Sequence, residues 1–399
     1  MLTFEEARAR LLSSVTPLSS ERVPTVASLG RVLAEPVLAV RDVPSVDYSA
    51  MDGYAVATSD LVGDPPYLVP VSGESRTGRT APPLVPGSVC RIFTGGELPA
   101  GSDAVVMQEA TDREGPLLRI RDRVDPRAFV RFRGADLVSG QIALAKGTRM
   151  SPYAVALAAT VEAPYVTVTR RPVVAILTTG DELRALGEAP RAASVVDAVG
   201  PALCAFVTQL GGSPRVLATA SDDLEITEKA LREAFAHADV VLTVGGVSVG
   251  DHDVVKTALL RTGATLDFWR VAIKPGKPLA VGARAQVPFL GLPGNPTSAL
   301  LTFTLFGAPL LRALAGDLQT VPKLLPARLA RDLTRSPGRK EFVRATLSGD
   351  GVLTADPLPN QASGAATSMA WADALIVIPE DVTSLAAGDA VQVLRLADV

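Results

Sequence analysis

The feature that most limits how this chain can fold is the alternation that begins at Pro172. Uninterrupted Val, Ile and Leu runs ("PVVAILTT", "RVLATA", "VVLTVGG") are separated by "DAVGPALCAFVTQLGG" and "SDDLEITEKALREAFAHA", whose apolar residues recur at helical spacing. A strand with no polar face must be covered on both sides, which is the requirement of a parallel sheet held between helices. Asp222 with Glu225 reads as a capping box at the second helix, and Gly211-Gly212 as the stop of the first. "TLDFWRVAI", "PLAVGA" and "PFLGLPG" extend this unit to a last apolar helix in "SALLTFTLFGAPLLRALAG". Thr302, Thr304, Gly307 and Pro309 interrupt that run, and Arg312 ends it short of the roughly 18 to 20 apolar residues of a membrane span. A buried helix is expected there, with no membrane association.

The flanks have a different texture. Phe4, Ala7, Leu11, Leu12 and Val15 share one helical face behind a possible Thr3/Glu6 capping box. From about 24 to 130, short β-branched runs are cut by Pro and Gly every eight to twelve residues, a pattern of short antiparallel strands. Helical character returns at "SPYAVALAATV", where Ser151 can cap and Pro152 can occupy the first helical position. After about 320, five or six strand-like runs follow. The expected class is α/β plus β and multidomain: a discontinuous helical domain (1–25 and 137–168), an inserted small β domain (26–136), a central parallel-sheet α/β domain (169–318) and a small β-barrel domain (319–399).

A chain of 399 residues, 47% of them hydrophobic, can bury several cores. Its net charge of −3 argues against nucleic-acid binding, which needs a dense basic face. Cys90 and Cys204 are too few for a disulfide framework, and "MLTFEEARARLL" has no secretory pattern, so a cytoplasmic protein is expected. With only His237 and His252, histidine-centred acid–base chemistry is disfavoured.

In a parallel sheet, ligands sit beyond the carboxyl ends of the strands. Four loops have that address. Thr178-Thr179-Gly180-Asp181-Glu182 places two acids after a buried strand, where they could also serve as helix caps. "GGVSVGDHD" offers Gly245, Gly246, Ser248 and Gly250 to approach an anion, and then Asp251 and Asp253, whose carboxylates share one side of an extended loop. Mg²⁺ takes one or two carboxylates and fills its octahedron with water and phosphate, so these acids, with Glu182, read as metal ligands, while Asp251 also reads as a cap. "RVAIKPGKPLA" holds Arg270, Lys274 and Lys277 on a proline-stiffened loop suited to an oxyanion. In "GLPGNPTSALL", Pro293, Gly294 and Pro296 shape a helix start, with Asn295 as its cap. The chemistry these loops suit is metal-assisted handling of a phosphorylated ligand and a second oxyanion.

The motifs "DVPSVDYSAMDGYAV", "RIFTGGELPAGSDAVVMQE", "RFRGAD", "AILTTGDEL", "GGVSVGDHD", "IKPGKP" and "GLPGNP" run through nearly the whole chain. Together they resemble the molybdopterin molybdenumtransferases, the MoeA proteins of bacteria, seen in animals as the E-domain of gephyrin. The resemblance implies an enzyme of molybdenum cofactor biosynthesis that uses Mg²⁺ to hydrolyse adenylylated molybdopterin and inserts molybdenum from molybdate, releasing AMP. It implies functional roles for Asp52, Thr94, Asp136, Glu182, Asp222, Asp253, Arg270, Lys274, Pro293, Pro296 and Ser368. It also implies a homodimer whose cleft joins two subunits, with molybdopterin adenylyltransferase and cofactor-delivery proteins as possible partners. Three departures stand out: Tyr48 replaces the family's usual Asn; Ala198-Val199 follow Asp197 where a polar pair is usual, which predicts a lost contact at that helix start; and the terminal motif around Ser368, "SGAATSMAWAD", is looser than the family's. The competing readings are a molybdopterin adenylyltransferase, which shares the α/β unit alone, and a gephyrin-like scaffold.

Overall fold

In the computed structural model, which describes residues 1–246, 254–349 and 351–399, helix α1 (Phe4–Ser13) starts with the capping box its sequence predicts. Glu6 N donates to Thr3 Oγ1 at 3.2 Å, and Thr3 N donates to Glu6 Oε2 at 2.9 Å. The buried face of α1, Phe4, Ala7 and Leu11, joins the core of the α/β unit. Phe4 sits edge-on to Phe306 and Phe342, with centroids 5.5 and 5.1 Å away. One N-terminal ring therefore ties the α/β unit to the terminal β unit. Helix α2 (Pro152–Thr160), capped by Ser151 with Pro152 in its first turn, packs elsewhere. Its partners are the strand pairs Ser20–Pro24 with Tyr165–Thr169 and Val37–Leu38 with Ile142–Leu144.

The inserted β unit is a six-stranded sheet in the order Ala104–Met107, Gly53–Val56, Val89–Ile92, Tyr67–Ser75, Leu117–Ile120, Thr111–Glu114. One pairing departs from the antiparallel expectation: Tyr67–Ser75 runs parallel to Val89–Ile92. Residues 76–88 supply the connection of about a dozen residues that a parallel pair needs.

The central sheet runs Ser213–Val216, Val173–Thr178, Val240–Val244, Val287–Leu292, Pro278–Arg284, Thr265–Arg270. Its first four strands are parallel as the sequence predicts. The last two add antiparallel pairings, because only two residues, Ala285 and Gln286, join Arg284 to Val287, and so short a turn can connect only antiparallel neighbours. Along Val173–Thr178, Val174 and Ile176 share a core with helix α3 (Val199–Gln209), whereas Ala175 and Leu177 share one with α4 (Leu224–His237) and α5 (Val254–Arg261). This alternation buries both faces of the strand.

Gly211, at φ +85°, follows the end of α3 as expected. The cap of α4 moves by one residue from its predicted place: Asp223, not Asp222, accepts from Ile226 N at 2.9 Å. Asp223 is extended and lies directly before Leu224, so its carboxylate, and not that of Asp222, reaches the free amides.

The last apolar run forms α6 (Pro296–Thr302), a π turn over Phe303–Gly307, and α7 (Ala308–Leu314). Pro296–Leu314 is long and apolar enough to cross a bilayer, yet 83% of it is buried inside the protein, as expected of a core helix. In the terminal unit, strand Lys340–Ser348 pairs with both Thr354–Pro357 and Ala374–Ile378, and the remaining pairings through Leu325–Leu329 and Ala390–Arg395 close a barrel. A short helix, α8 (Ala366–Ala370), packs on α6. Ile273–Lys274 adds in parallel to Lys340–Glu341 and sutures the α/β unit to the barrel.

Replacing Phe4 with Ala removes a ring that two units share. It should lower stability by about 3 kcal/mol, within the range for buried Phe→Ala changes, read as a lower urea midpoint for the transition that includes the barrel.

Candidate functional site

The carboxyl ends of the parallel strands open into a cleft of about 980 Å³. From Val173–Thr178 the chain runs through α3 to the strand on one side, then returns to Val240–Val244 on the other, so the strand order reverses between these two. Such a switch point splays the outgoing loops apart and leaves a crevice. Thr179, Gly180 and Glu182 line one wall, Gly245 and Gly246 the floor, and Pro293, Gly294, Asn295 and Pro296 the opposite side. Three of the four loops singled out in the sequence thus meet here.

Two glycines make the crevice possible. At Gly180 (φ +143°) a Cβ would sit 2.5 Å from Glu182 Oε2, so the Glu182 carboxylate folds back over bare backbone. At Gly245 (φ +86°) a Cβ would lie 2.7 Å from Thr179 O. Asp222 also lines the cleft, and its N–H donates to Asp181 Oδ1 at 3.2 Å. Asn295 occupies the cap position of α6, but its side chain makes no capping hydrogen bond; the N–H of Thr297 donates to Ser363 O at 3.2 Å instead. Ser248, Gly250, Asp251 and Asp253 lie outside the described residues.

Among the described residues, no group of three or more His, Cys, Asp or Glu side chains is placed to hold a metal ion. The cleft's acidic side chains, Glu182, Asp197 and Asp222, are hard oxygen donors, and no described Cys or His lines it. That donor set suits Mg²⁺, which needs only one or two carboxylates from the protein.

The basic loop lies apart from the described cleft wall, to which it contributes only Pro278. Arg270 and Lys277 are exposed. Lys274 is 2.9 Å from Glu341 Oε1, across the suture to the barrel, so the structure gives its charge a carboxylate partner. Ser368 is 2% exposed and donates to Ala365 O at 2.7 Å, which turns its hydroxyl into the protein.

Sequence reasoning missed three features. Leu183, Val195 and Val196 wall the cleft from a parallel pair of two-residue strands, too short to carry a period-two pattern. Asp197, a further wall residue, accepts from Val199 N at 3.0 Å and Gly200 N at 2.9 Å. The start of α3 is therefore held by Asp197, while Ala198 and Val199 offer no polar side chain there. Arg344 is the third. It is 0% exposed, its Nη2 donates to Asn360 O and Ala362 O at 3.3 Å, and its Nε and Nη1 have no hydrogen-bond partner among the described residues. Burial lowers its pKa. The adjoining Ser363 and Ala365 carbonyls accept from the N–H and hydroxyl of Thr297, so this buried cation is linked to the start of α6.

Asp52, Thr94 and Asp136 are exposed and lie in two separate contacts, Asp52 with Thr94 and Asp136 with Arg131. Thr94 N and Oγ1 donate to Asp52 Oδ1 at 2.7 and 2.9 Å. These two bonds, from the amide first and the hydroxyl second, hold the Asp52 carboxyl below the usual carboxylate range. Arg131 Nη2 lies 2.7 and 2.8 Å from the two oxygens of Asp136.

Three family models match the chain in order: the MoeA N-terminal region, domains I and II, over residues 2–161; a probable molybdopterin-binding domain over 175–313; and the MoeA C-terminal region, domain IV, over 326–396. The molybdopterin molybdenumtransferase of Nostoc sp. is 36% identical over 94% of this chain and 89% of its own. That of Haemophilus influenzae is 33% identical over 98% of each chain. The chain belongs to the MoeA family of molybdenum cofactor biosynthesis enzymes. Structures of the molybdopterin biosynthesis moeA protein from Pyrococcus horikoshii agree in fold. One has a TM-score of 0.84 at 32% identity, covering 99% of each chain; a second has 0.87 at 28%, covering 98% of this chain and 99% of its own.

Within this MoeA protein, Tyr48, which stands in place of the usual Asn, pairs across the ladder with Arg131. Asp136 first, and then Tyr48, hold the Arg131 guanidinium above its ordinary value. Arg131, which holds Asp136, therefore stands opposite Tyr48 in the ladder. Because Asp52 is depressed in the folded protein, its favourable contribution is complete above its unfolded pKa and is lost as pH falls through the folded value. Thr94→Val removes the hydroxyl bond and should move the Asp52 titration upward, toward the ordinary carboxylate range, as read from side-chain carboxyl carbon shifts.

Proposed function

We propose that this protein is a molybdopterin molybdenumtransferase that hydrolyses the phosphoanhydride of adenylylated molybdopterin, releases AMP, and transfers molybdenum from molybdate to the pterin dithiolene. The observation that carries this reading is the cleft at the switch point of the sheet, where the Glu182 carboxylate folds over bare Gly180 backbone opposite a helix start. A divalent cation bound there would neutralise phosphate charge as the anhydride breaks. Glu182 would hold it, with Asp251 and Asp253 from the adjoining loop as further ligands. Gly245 and Gly246 let backbone come close to the phosphates, and Asp222 bounds the same side of the cleft.

We assign the oxyanion role to two cationic side chains, Arg344 and Lys274. Among the described residues, Arg344 has two buried donors without hydrogen-bond partners, a costly setting for a charge, and an oxyanion would satisfy both. Lys274, held by Glu341, would release that carboxylate to bind molybdate. Removing one charged donor from a preorganised site commonly costs on the order of 10²-fold in rate. Lys274→Ala should therefore lose about that much AMP release, with partial recovery at high molybdate; an unchanged molybdate dependence counts against the role.

The described cleft is lined only from residue 179 onward, and Asp52, Thr94 and Asp136 are not among its lining residues. This supports a homodimer in which the β unit of one subunit completes the cleft of the other. A mixed dimer of Asp136→Ala and Asp253→Asn chains would then carry one doubly damaged site and one intact site. Random exchange between these two inactive proteins should restore up to about one quarter of wild-type activity. Exchange of tagged subunits with no recovery would exclude a shared site. The free thiols Cys90 and Cys204 support a reducing compartment, and we take the cytoplasm as the setting.

A further inference from the structure

Residues 125–131 lead into the strand that braces Asp136, and their backbone has an unusual feature. Arg127 and Phe129 both have positive φ, 69° and 54°. Glycine or asparagine adopts this conformation far more cheaply than a bulky aromatic residue. The surroundings fix it at three successive residues: Arg127 N donates to Asp103 O at 3.0 Å, Val105 N to Ala128 O at 2.9 Å, and Ala50 N to Phe129 O at 2.9 Å. The backbone shape is therefore set by the β unit and owes nothing to the Phe129 side chain.

Nor is that side chain retained for packing. Phe129 is 40% exposed and belongs to no hydrophobic core, although its neighbours Ala128 and Val130 pack against the cores of the β unit. Its carbonyl grips Ala50, the residue before Met51 and Asp52, and Met51 is itself 41% exposed. Asp52 meets Thr94 through Oδ1 alone, so among the described residues Oδ2 accepts no hydrogen bond. An aromatic residue at positive φ, an exposed thioether and a carboxylate with one free oxygen thus flank a single backbone pairing, Ala50 N to Phe129 O. Strain held in place by its surroundings is a mark of functional positions.

We propose that Phe129, with Met51, is the platform on which the flat pterin ring of the substrate rests, and that the free oxygen of Asp52 accepts from the ring's amino edge. The match is one of chemistry: an aromatic face and a soft sulfur favour a planar heteroaromatic ring, and a free carboxylate oxygen suits an N–H of an aminopyrimidinone edge. Phe129 is a specificity-determining contact and takes no part in phosphate chemistry. This inference rests on the function proposed above.

The test compares wild type, Phe129→Asn and Phe129→Tyr in melting temperature, Kd for molybdopterin itself, and KM and kcat with adenylylated molybdopterin. Asparagine tolerates positive φ, so Phe129→Asn should melt within about 2 °C of wild type or above it. Its Kd and KM should rise roughly three- to tenfold, the scale of one aromatic contact, with kcat within about twofold. Phe129→Tyr should restore wild-type binding. Unchanged Kd and KM in Phe129→Asn overturn the platform, as does a fall in melting temperature that Phe129→Tyr shares. A wild-type protein that binds molybdopterin yet releases no AMP from the adenylylated form defeats the proposed function, while the Kd comparison still decides the platform. Failure of wild type to bind molybdopterin defeats both.

Discussion

The rest of the structure depends on burying Val173–Thr178 on both faces. Val174 and Ile176 require α3 on one side, and Ala175 and Leu177 require α4 and α5 on the other. Helices on opposite faces can be reached from one strand only if the chain leaves it in opposite directions, and that reversal opens the cleft at the strand ends. The same demand for apolar cover that specifies the fold therefore fixes where a ligand can sit. Glu182 and Gly245 are neighbours because their strands are.

How much of this was legible in the sequence follows from where each signal resides. Helix starts with two reciprocal partners, such as Thr3 with Glu6, read correctly because both halves are local. Asp222 and Asp223 offered two equivalent caps, and only the backbone at Asp223 decides between them. The hairpin at Ala285-Gln286 escaped notice because neither residue is a usual turn former, although Ala285 adopts φ +54°. Among site residues, Asp52 and Thr94 were read from separate motifs and are in hydrogen-bond contact. Arg344 carried no sequence signal at all: an arginine in "KEFVRATL" looks like an ordinary strand residue, and only its complete burial sets it apart.

Electrostatics divide the molecule in a way that composition hides. A net charge of −3 suggests little, yet cations collect at the suture between the α/β unit and the barrel. Lys274 and Arg335 both approach Glu341, at 2.9 and 3.6 Å, while Arg344, on the same strand, has no carboxylate in salt-bridge contact among the described residues. One buried acid is shared among more positive charge than it can balance. Burying charge without full pairing is costly, so the suture is both a joint and a concentration of positive charge.

The attachment of α1 has a consequence for how the protein is made. Leu2 O accepts from Ala272 N at 2.9 Å, and Phe4 contacts Phe306 and Phe342, so this segment is synthesised well before the partners it packs against. At roughly 5 to 20 residues per second, that delay is on the order of tens of seconds. Through it, an amphipathic helix of ten residues, too short to hold together alone in water, must keep its phenylalanine from wrong partners. The acidic first turn of α1, Glu5 and Glu6, keeps charge beside that ring throughout the wait. The capping box can hold only once that packing is in place, so it belongs to the finished fold and not to the waiting chain.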